Sequence, residues 1–233
     1  MSVPACRDRD HTHQAASCLR DQSVLRVADG GFYRRIGKQL FDLALMVFIA
    51  PIVLPVIVMV TLILLLQGHS PFYAQDRIGK GGKRFRIWKF RTMYQDADRM
   101  LEQVLSKDPD LRLEWETTQK LKNDPRITRF GAILRKTSID ELPQLWNVLN
   151  GTMSLLGPRP MLPDQQFLYG PALPIYTSLR PGISGVWQVS ERNDSHFQRR
   201  AELDIEYARN LSFRTDIGLV FRTMRTVLYS TGY

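Results

Sequence analysis

The feature that most constrains this chain is an apolar stretch over residues 43–66, twenty-four positions without a charged side chain. A helix of that length reaches across about 30 Å of hydrocarbon, and most helices in soluble domains are shorter. The stretch is too long, and begins too far into the chain, for a cleaved signal peptide. The sequence therefore predicts a membrane-associated protein, and a plain transmembrane span is the simplest interpretation.

Two observations favour a different path through the membrane. Pro51 and Pro55 lie inside the stretch, where each lacks a backbone donor and crowds the preceding turn, so a break in the helix is expected. Basic residues flank both ends of the stretch: Arg34, Arg35 and Lys38 before it, and Arg77, Lys80, Lys83, Arg84, Arg86, Lys89 and Arg91 after it. Because basic flanks favour the cytoplasmic side, a single span would leave one set on the wrong side. We therefore predict a re-entrant helix-break-helix hairpin over residues 34–70.

The rest of the chain divides into a tail and a larger domain. Residues 1–33 are polar and show no apolar period, which predicts a mobile N-terminal tail. Residues 71–233 predict a cytosolic domain of α/β type, mostly helical, with a small β-hairpin whose strands cover 72–78 and 83–90. Helical spacing covers 93–107, about 108–120 and 203–229, and the last of these has an amphipathic face that suits the core or the membrane interface.

The charge of the chain narrows the class of partner. Lys and Arg number 32 against 23 Asp and Glu, a formal net charge of +9, so an anionic partner is expected. Two cysteines exclude a disulfide framework. A nucleic-acid-binding module is one alternative, but the basic residues lie in turns rather than on a groove-reading helix.

Basic side chains recur in turns that proline or glycine stiffens. Arg offers a planar fork that matches phosphate oxygens, and Lys offers a point charge. The motifs are Lys-Phe-Arg-Thr-Met at 89–93, Asp-Pro-Arg-Ile-Thr at 124–128, Gly-Pro-Arg-Pro at 157–160 and Arg-Pro-Gly-Ile-Ser-Gly at 180–185, with Gln188 beyond. Several such turns in one domain indicate a phosphate-binding site.

Two adjacent acids, Asp140 and Glu141, stand among these basic motifs in Ser-Ile-Asp-Glu-Leu-Pro-Gln at 138–144. One interpretation is structural, because Ser138 and Glu141 have capping-box spacing before a helix over 142–150 that would end at Gly151. The other is catalytic. Paired carboxylates repel a phosphorylated substrate unless a divalent cation such as Mg²⁺ lies between them, so one acid would hold the metal and the other attack phosphorus.

From about residue 33 to residue 233 the chain resembles the bacterial sugar transferases, monotopic phosphoglycosyl transferases that start exopolysaccharide, O-antigen and glycoprotein glycans. The resemblance rests on the apolar hairpin, on the motifs above and on Met-Ser-Leu-Leu-Gly-Pro-Arg-Pro at 153–160. Within this family, the chain is most similar to the short members that initiate exopolysaccharide synthesis. This resemblance implies transfer of hexose 1-phosphate, galactose or else glucose, from a UDP-sugar to undecaprenyl phosphate with release of UMP.

The resemblance also implies a role for each motif residue. Asp140 would form a phosphosugar-aspartate intermediate and Glu141 would bind Mg²⁺. The predicted substrate- and phosphate-binding residues are Lys89, Arg91, Asp124, Arg126, Arg159, Arg180 and Gln188. The expected location is the cytoplasmic face of the bacterial inner membrane.

The expected partners are the UDP-sugar, undecaprenyl phosphate, the lipid bilayer and downstream glycosyltransferases, but no nucleic acid. A homodimer is left open. A membrane-tethered polybasic scaffold or lipid-binding protein without catalysis is the alternative function, because it would need the anchor and the charge but not the acidic pair.

Overall fold

A computed structural model of the chain describes residues 31–118, 121–190 and 197–228. The predicted N-terminal tail falls outside the described residues except at its last three positions. The described chain is mostly helical with two small strand pairs, which confirms the predicted composition of secondary structure.

The apolar stretch forms one long helix, α1, over Lys38–Leu66, after a π-helical turn at Tyr33–Gly37. Within the described residues, this is the helix that is long and apolar enough to cross a membrane. It continues through Pro51 and Pro55, so the break predicted at these residues is not confirmed and the re-entrant path stays a prediction. Many apolar side chains of α1 are exposed, as expected of a helix in contact with lipid.

A β-hairpin follows α1, with β1 at Phe72–Ile78 and β2 at Arg84–Phe90, which confirms the predicted strands to within one residue. Its turn is a short 3₁₀ helix, Lys80–Gly82, in which Gly81 and Gly82 have φ angles of 70° and 73°. A side chain at such angles is strained, and the glycines therefore let the chain reverse within a few residues. The hairpin places Lys89 and Arg91 at and just beyond the end of β2.

The helices after the hairpin agree in part with the sequence pattern. The helix α2 at Ala97–Lys107 confirms the first predicted helix except at its start, which was expected at residue 93. The helix α3 at Pro109–Thr118 confirms the second, and Oδ1 of Asp108 caps it by accepting from two backbone N–H groups. The single helix predicted over 203–229 is wrong: two helices form, with a break at 210–212. The remaining α-helices are α4 at Arg129–Lys136, α5 at Leu145–Leu149, α6 at Gln166–Tyr169, α7 at Leu173–Ser178, α8 at Val186–Ser190, α9 at Phe197–Arg209 and α10 at Phe213–Leu228.

The chain forms two compact units, which we name after their candidate site residues. The dyad unit consists of Leu43–Gln75, Arg86–Asn150 and the residues from Met224 onward, and it contains Asp140 and Glu141. The arginine-loop unit consists of the segment ending at Asp42, Asp76–Phe85 and Gly151–Thr223, and it contains Arg159 and Arg180. In the arginine-loop unit β3 at Ser154–Leu156 pairs in parallel with β4 at Gly182–Ser184.

Candidate active site

Ser138, two residues before Asp140, has an unusual backbone conformation. Its φ of 57° is left-handed, the one such angle at a non-glycine residue in the described parts of the chain. Its side chain makes no cap hydrogen bond, so the predicted capping box with Glu141 is wrong. A strained residue of this kind costs about 1–3 kcal/mol and occurs most often at functional sites. The observation weakens the interpretation that the acids serve only to cap a helix.

The acidic pair itself lies in a 3₁₀ helix, Ile139–Gln144, which leads directly into α5. The predicted α-helix over 142–150 is therefore shorter than expected, although Gly151, with φ 75°, does follow its end. Lys89 reaches both acids from β2: its Nζ lies 2.7 Å from Oε1 of Glu141 and 4.0 Å from Oδ2 of Asp140. All three side chains are partly buried, where charges interact more strongly than in bulk water.

Asn147 fixes the position of the acidic pair relative to the strand that carries Lys89. Its buried side chain pairs with the backbone of β2, accepting from the N–H of Trp88 at 3.1 Å and donating to the carbonyl of Arg86 at 2.7 Å. Because Asn147 lies on α5, which continues the turn of the acidic pair, these bonds hold Lys89 within reach of Glu141. Sequence analysis did not single out this residue.

Apolar side chains next to the acidic pair pack against α1. Ile139 and Leu142, which flank the two acids, pack against a buried cluster of Val60 and Leu64 from α1, Phe90 from β2 and Leu134 from α4. Burial of each such side chain contributes about 1.5–3 kcal/mol. The second half of α1 is thus part of the support of the candidate site.

Asp124 and Arg126 form a pair within their own turn. The Arg126 guanidinium donates through Nε to Oδ1 of Asp124 at 2.8 Å and through Nη2 to Oδ2 at 2.6 Å, and it lies 5.1 Å from the ring centroid of Trp115. Burial raises the pKa of the Asp124 carboxyl, but hydrogen bonds from Arg126 outweigh it, so this pKa lies below its usual range. Asp124 therefore orients Arg126, and much of the guanidinium is engaged inside the protein.

Arg135, which the sequence analysis missed, is close to the same charges. It lies at the end of α4 and donates from Nε to Oγ1 of Thr92 at 2.8 Å. Burial lowers the pKa of its guanidinium, while the negative charges of Asp140 and Asp124 raise it in part. The sequence feature that could have identified Arg135 is its position, five residues before Asp140. The helix that ends near it was not evident from the sequence pattern.

Arg91 lies at the junction between α1 and the hairpin. Its Nε donates to the carbonyl of Ser70 at 3.1 Å, and the guanidinium lies 5.9 Å from the ring centroid of Tyr73. The segment after Arg91 meets the Asp124 turn, since Met93 and Ile127 form a β-bridge. The first two basic motifs are thus adjacent in the dyad unit.

The acidic pair is the candidate metal-binding position. The described residues contain no group of three or more His, Cys, Asp or Glu side chains that could hold a metal ion. Mg²⁺ is commonly bound by one or two carboxylates together with substrate phosphates and water. Glu141 already faces a cation, the ammonium of Lys89. The residues present fit the predicted Mg²⁺ site, which stays a prediction.

In the arginine-loop unit, three glycines bring two further motifs together. A Cβ atom on Gly157 would collide with the carbonyl of Arg180, one on Gly182 with the amide of Gly157, and one on Gly185 with the carbonyl of Gly157. Only residues without side chains permit this approach of the 157–160 and 180–185 segments. The parallel pairing of β3 and β4 is continued by these contacts.

Aromatic faces and a second arginine hold Arg159. The guanidinium of Arg159 lies 5.7 Å from the ring centroid of Trp187, and that of Arg200 lies 5.6 Å from the same ring. Nη2 of Arg200 donates to the carbonyl of Arg159 at 2.6 Å. Trp187 and Arg200 are neighbours that sequence analysis did not identify, because cation–π contacts between distant segments leave no local pattern.

The other two predicted residues of this unit are placed nearby. The Gln39 amide lies against the Arg180 guanidinium, and its oxygen accepts from Arg180 when the amide is oriented with the oxygen towards the arginine. Arg180 also lines a small cavity together with Arg34, Lys38 and Lys80. Gln188 follows Trp187 on α8 and is only 4% exposed. The structure therefore gathers Arg159, Arg180 and Gln188 in one unit, and Lys89, Arg91, Asp124, Arg126 and the acidic pair in the other.

Comparison with known proteins agrees with these motifs. A family model described as bacterial sugar transferase matches residues 33–230. This chain is 43% identical to the UDP-galactose-lipid carrier transferase of Erwinia amylovora. It is 41% identical to the undecaprenyl-phosphate galactose phosphotransferase of Salmonella typhimurium. Each match runs over 198 residues, 85% of this chain and 42% of the relative. The exopolysaccharide production protein ExoY of Sinorhizobium fredii is 41% identical over 198 residues, 84% of this chain and 88% of ExoY.

The chain thus matches less than half the length of the Erwinia and Salmonella relatives and most of the length of ExoY. The matched region includes α1, the hairpin, the acidic pair and both arginine-bearing loops. This chain belongs to the bacterial sugar transferase family.

Proposed function

We propose that the protein transfers hexose 1-phosphate from a UDP-sugar to undecaprenyl phosphate, releases UMP, and so begins an exopolysaccharide repeat unit. The observation that carries the proposal is the acidic pair, set after a strained residue, beside Lys89 and on top of α1. The names of the Erwinia and Salmonella relatives refer to a galactose-lipid carrier and to undecaprenyl phosphate, and they favour galactose over glucose as the hexose.

The reaction takes place in two displacements. A carboxylate oxygen of Asp140 attacks the phosphorus that carries the sugar, a bond forms to that oxygen, and the bond from phosphorus to the oxygen of UMP breaks. An oxygen of undecaprenyl phosphate then attacks the same phosphorus, and the bond to Asp140 breaks. The sugar phosphate ends in a diphosphate linkage to the lipid, and the carboxylate is regenerated.

The remaining charged residues bind and orient the phosphates. Lys89 holds the carboxylates in place and offsets their negative charge, which would otherwise repel the donor. Arg135 adds positive charge near Asp140. Arg91, Arg159 and Arg180 are proposed to contact donor diphosphate or lipid phosphate, with Gln188 as a further polar contact. Arg126, oriented by Asp124, is proposed to add positive charge and to hold its turn in shape. Mg²⁺, held by Glu141, would neutralise phosphate charge.

The membrane is the source of the acceptor. A polyprenyl tail stays in hydrocarbon, so its phosphate must be met at the depth of the headgroups. The exposed apolar side chains of α1, and those of α10 at Phe221, Met224 and Val227, provide surfaces suited to such a position. We propose the re-entrant path for α1, with the catalytic domain on the cytoplasmic face of the inner membrane. Downstream glycosyltransferases would extend the product.

Two measurements on the purified protein test the proposal. Incubation with each member of a panel of UDP-sugars and undecaprenyl phosphate should release UMP in the presence of Mg²⁺, most with UDP-galactose. Mass spectrometry after incubation with UDP-galactose alone should find a phosphohexose on Asp140. If no UDP-sugar yields UMP, the alternative of a non-catalytic, membrane-tethered polybasic protein replaces this proposal.

A further inference from the structure

The dyad unit contains a cavity that the proposed phosphate chemistry leaves without a role. Its volume is about 430 Å³, within the usual range for small-molecule sites, and its lining consists of Gly68, His69, Tyr94, Gln95, Asp96 and Met100. One wall is the turn that follows α1, and the other is the segment between β2 and α2. Aromatic, amide and carboxylate groups are combined in a small space.

The aromatic part of the lining suits a flat ring system. The rings of His69 and Tyr94 meet edge to face with centroids 6.2 Å apart, which fixes them relative to each other, yet 42% of Tyr94 remains exposed. Nucleobases stack on such side chains irrespective of sequence. Met100, in α2, adds an apolar side chain to the lining.

The polar part of the lining suits uracil and ribose. Asp96 occupies the N-cap position of α2, where an aspartate usually accepts from the backbone, but its side chain makes no such cap bond. A carboxylate in this situation can accept from a ribose diol, as acidic residues do in dinucleotide sites. The Gln95 amide offers one donor group and one acceptor, which are complementary to the donor and acceptors on the edge of uracil.

The cavity adjoins residues already assigned to phosphate binding. Nε of Arg91 donates to the carbonyl of Ser70, next to His69, and the N–H of Tyr94 donates to the carbonyl of Arg126 at 3.0 Å. A ligand with its base beside Tyr94 therefore has the Arg91 guanidinium close to the cavity wall. A prenyl chain fits less well, because it would bury the Asp96 carboxylate against hydrocarbon.

We infer that this cavity is the nucleoside subsite of the donor and binds the uridine of a UDP-sugar, an inference that rests on the proposed function. Tyr94 stacks on the base, Gln95 reads its edge, and Asp96 accepts from the ribose hydroxyls. The diphosphate then extends from the cavity towards Arg91.

Calorimetric titration of the full chain in nanodiscs with UDP, without a sugar, tests the assignment. Tyr94→Ala should weaken UDP binding by about 5- to 150-fold, and Tyr94→Phe, which keeps the ring, should bind nearly as well as wild type. Asp96→Asn should also weaken binding of UDP, with a smaller effect on 2′-deoxy-UDP. Glu102→Gln, an exposed acid on the same helix and outside the cavity, is the matched control and should leave the affinity unchanged.

The outcomes separate this inference from the proposed function. Wild-type affinity for UDP in both Tyr94→Ala and Asp96→Asn would overturn the subsite, as would weakened binding of undecaprenyl phosphate with unchanged binding of UDP. If UDP binds with the expected variant pattern but no UDP-sugar yields UMP, the subsite stands and the proposed function fails.

Discussion

The two units of the molecule hold their arginines by different means. In the dyad unit the Arg126 guanidinium is bound at two nitrogens by the Asp124 carboxylate, and both side chains are buried. In the arginine-loop unit Arg159 is held through its backbone carbonyl and through the face of Trp187. Arg126 is thus fixed by an ion pair with Asp124, whereas Arg159 is fixed by stacking on Trp187 and by the hydrogen bond to its carbonyl.

This difference bears on what each arginine can do for a phosphate. A carboxylate bound to the fork uses the same in-plane N–H groups that a phosphate would need, whereas stacking on an aromatic ring uses the face of the guanidinium. Arg159 is therefore better suited than Arg126 to bind substrate, and Arg126 is better suited to hold its turn in shape.

The largest effect is expected at Asp140, on which the function of the dyad unit depends. Asp140→Asn should abolish transfer, because an amide does not form the acyl phosphate, and the fold should persist because the two side chains have nearly the same shape. The measurement is UMP release together with the melting temperature. Near-normal turnover in this variant would exclude Asp140 as the nucleophile.

Glu141→Gln is the companion variant for the metal-binding role. It should lower activity mainly through weak Mg²⁺ binding, so a titration with Mg²⁺ should restore part of the rate. Loss of activity that no concentration of Mg²⁺ relieves would argue against Glu141 as the metal ligand.

The next effect concerns α1, whose second half supports the acidic pair. Replacing Pro51 and Pro55 with Leu should give a straight helix that spans the membrane, move the N-terminus to the periplasm and reduce activity. The measurement is labelling of Phe32→Cys and Lys83→Cys from each side of the membrane, after Cys6 and Cys18 are changed to Ser. Both sites should label from the cytosol when the prolines are present.

Labelling of Phe32→Cys from the periplasm alone, in the protein with both prolines and with Lys83→Cys cytosolic, would refute the re-entrant path. The anchor would then be a plain span, which is how the continuous helix Lys38–Leu66 can also be placed.

A third prediction compares the two arginines directly. Arg159→Ala should lower kcat/KM about 10- to 150-fold, the loss of a charge-assisted contact of about 1.5–3 kcal/mol, with a small change in melting temperature. Arg126→Ala should instead destabilise the protein by about 3–5 kcal/mol, because it leaves Asp124 buried without its partner charge. Steady-state kinetics and thermal melting of both variants provide the comparison.

Conservative variants separate charge from geometry in the same experiment. Arg159→Lys should rescue activity poorly because it lacks the fork. The double variant with Asp124→Asn and Arg126→Gln should recover part of the stability lost in Arg126→Ala. If Arg126→Ala melts like wild type but loses activity as strongly as Arg159→Ala, the contrast between the two units is wrong.

Local sequence patterns predicted the parts of this site that neighbouring residues form, but not the parts that form between distant segments. The acidic pair, the basic motifs and both strands of the hairpin follow from residue type and spacing alone. Arg135 was missed because α4 is short. Its start is capped locally, where Oγ1 of Thr128 accepts from the N–H of Gly131, and Gly131 also approaches the backbone of Thr92 too closely for any side chain.

The capping box shows the opposite failure, in which a local pattern predicts a contact that does not form. Ser138 and Glu141 have the right spacing, but the left-handed backbone at Ser138 prevents the cap. Ile139 and Leu142 pack on Val60 and Leu64, which lie about eighty residues earlier in the chain. We attribute the strained turn to this packing, and no window of local sequence reports it.

The smallest effect is expected at Asp204 in the arginine-loop unit, whose charge interacts with that of Arg200. Asp204 is buried and accepts from the hydroxyl of Tyr169 at 2.7 Å. Burial raises the pKa of its carboxyl to about 6, against the opposing effects of Arg200 and of this hydrogen bond. The folded state therefore holds this proton up to a higher pH than the unfolded chain does, and the corresponding stability, up to about 3 kcal/mol, is present below pH 4 and lost as the pH rises through 6.

Asp204→Asn removes this titration and keeps an acceptor for Tyr169. The difference in melting temperature between wild type and Asp204→Asn should therefore change by about 5 °C between pH 5 and pH 7.5, with wild type relatively more stable at the lower pH. Asp164→Asn, which removes an acid outside this buried pair, should melt in parallel with wild type over the same range. Parallel curves for Asp204→Asn and wild type would mean that Asp204 titrates as an ordinary carboxyl. In that case the Asp204 carboxyl would be ionised throughout this pH range, and the charge of Arg200, which binds the carbonyl of Arg159, would offset the cost of burying it.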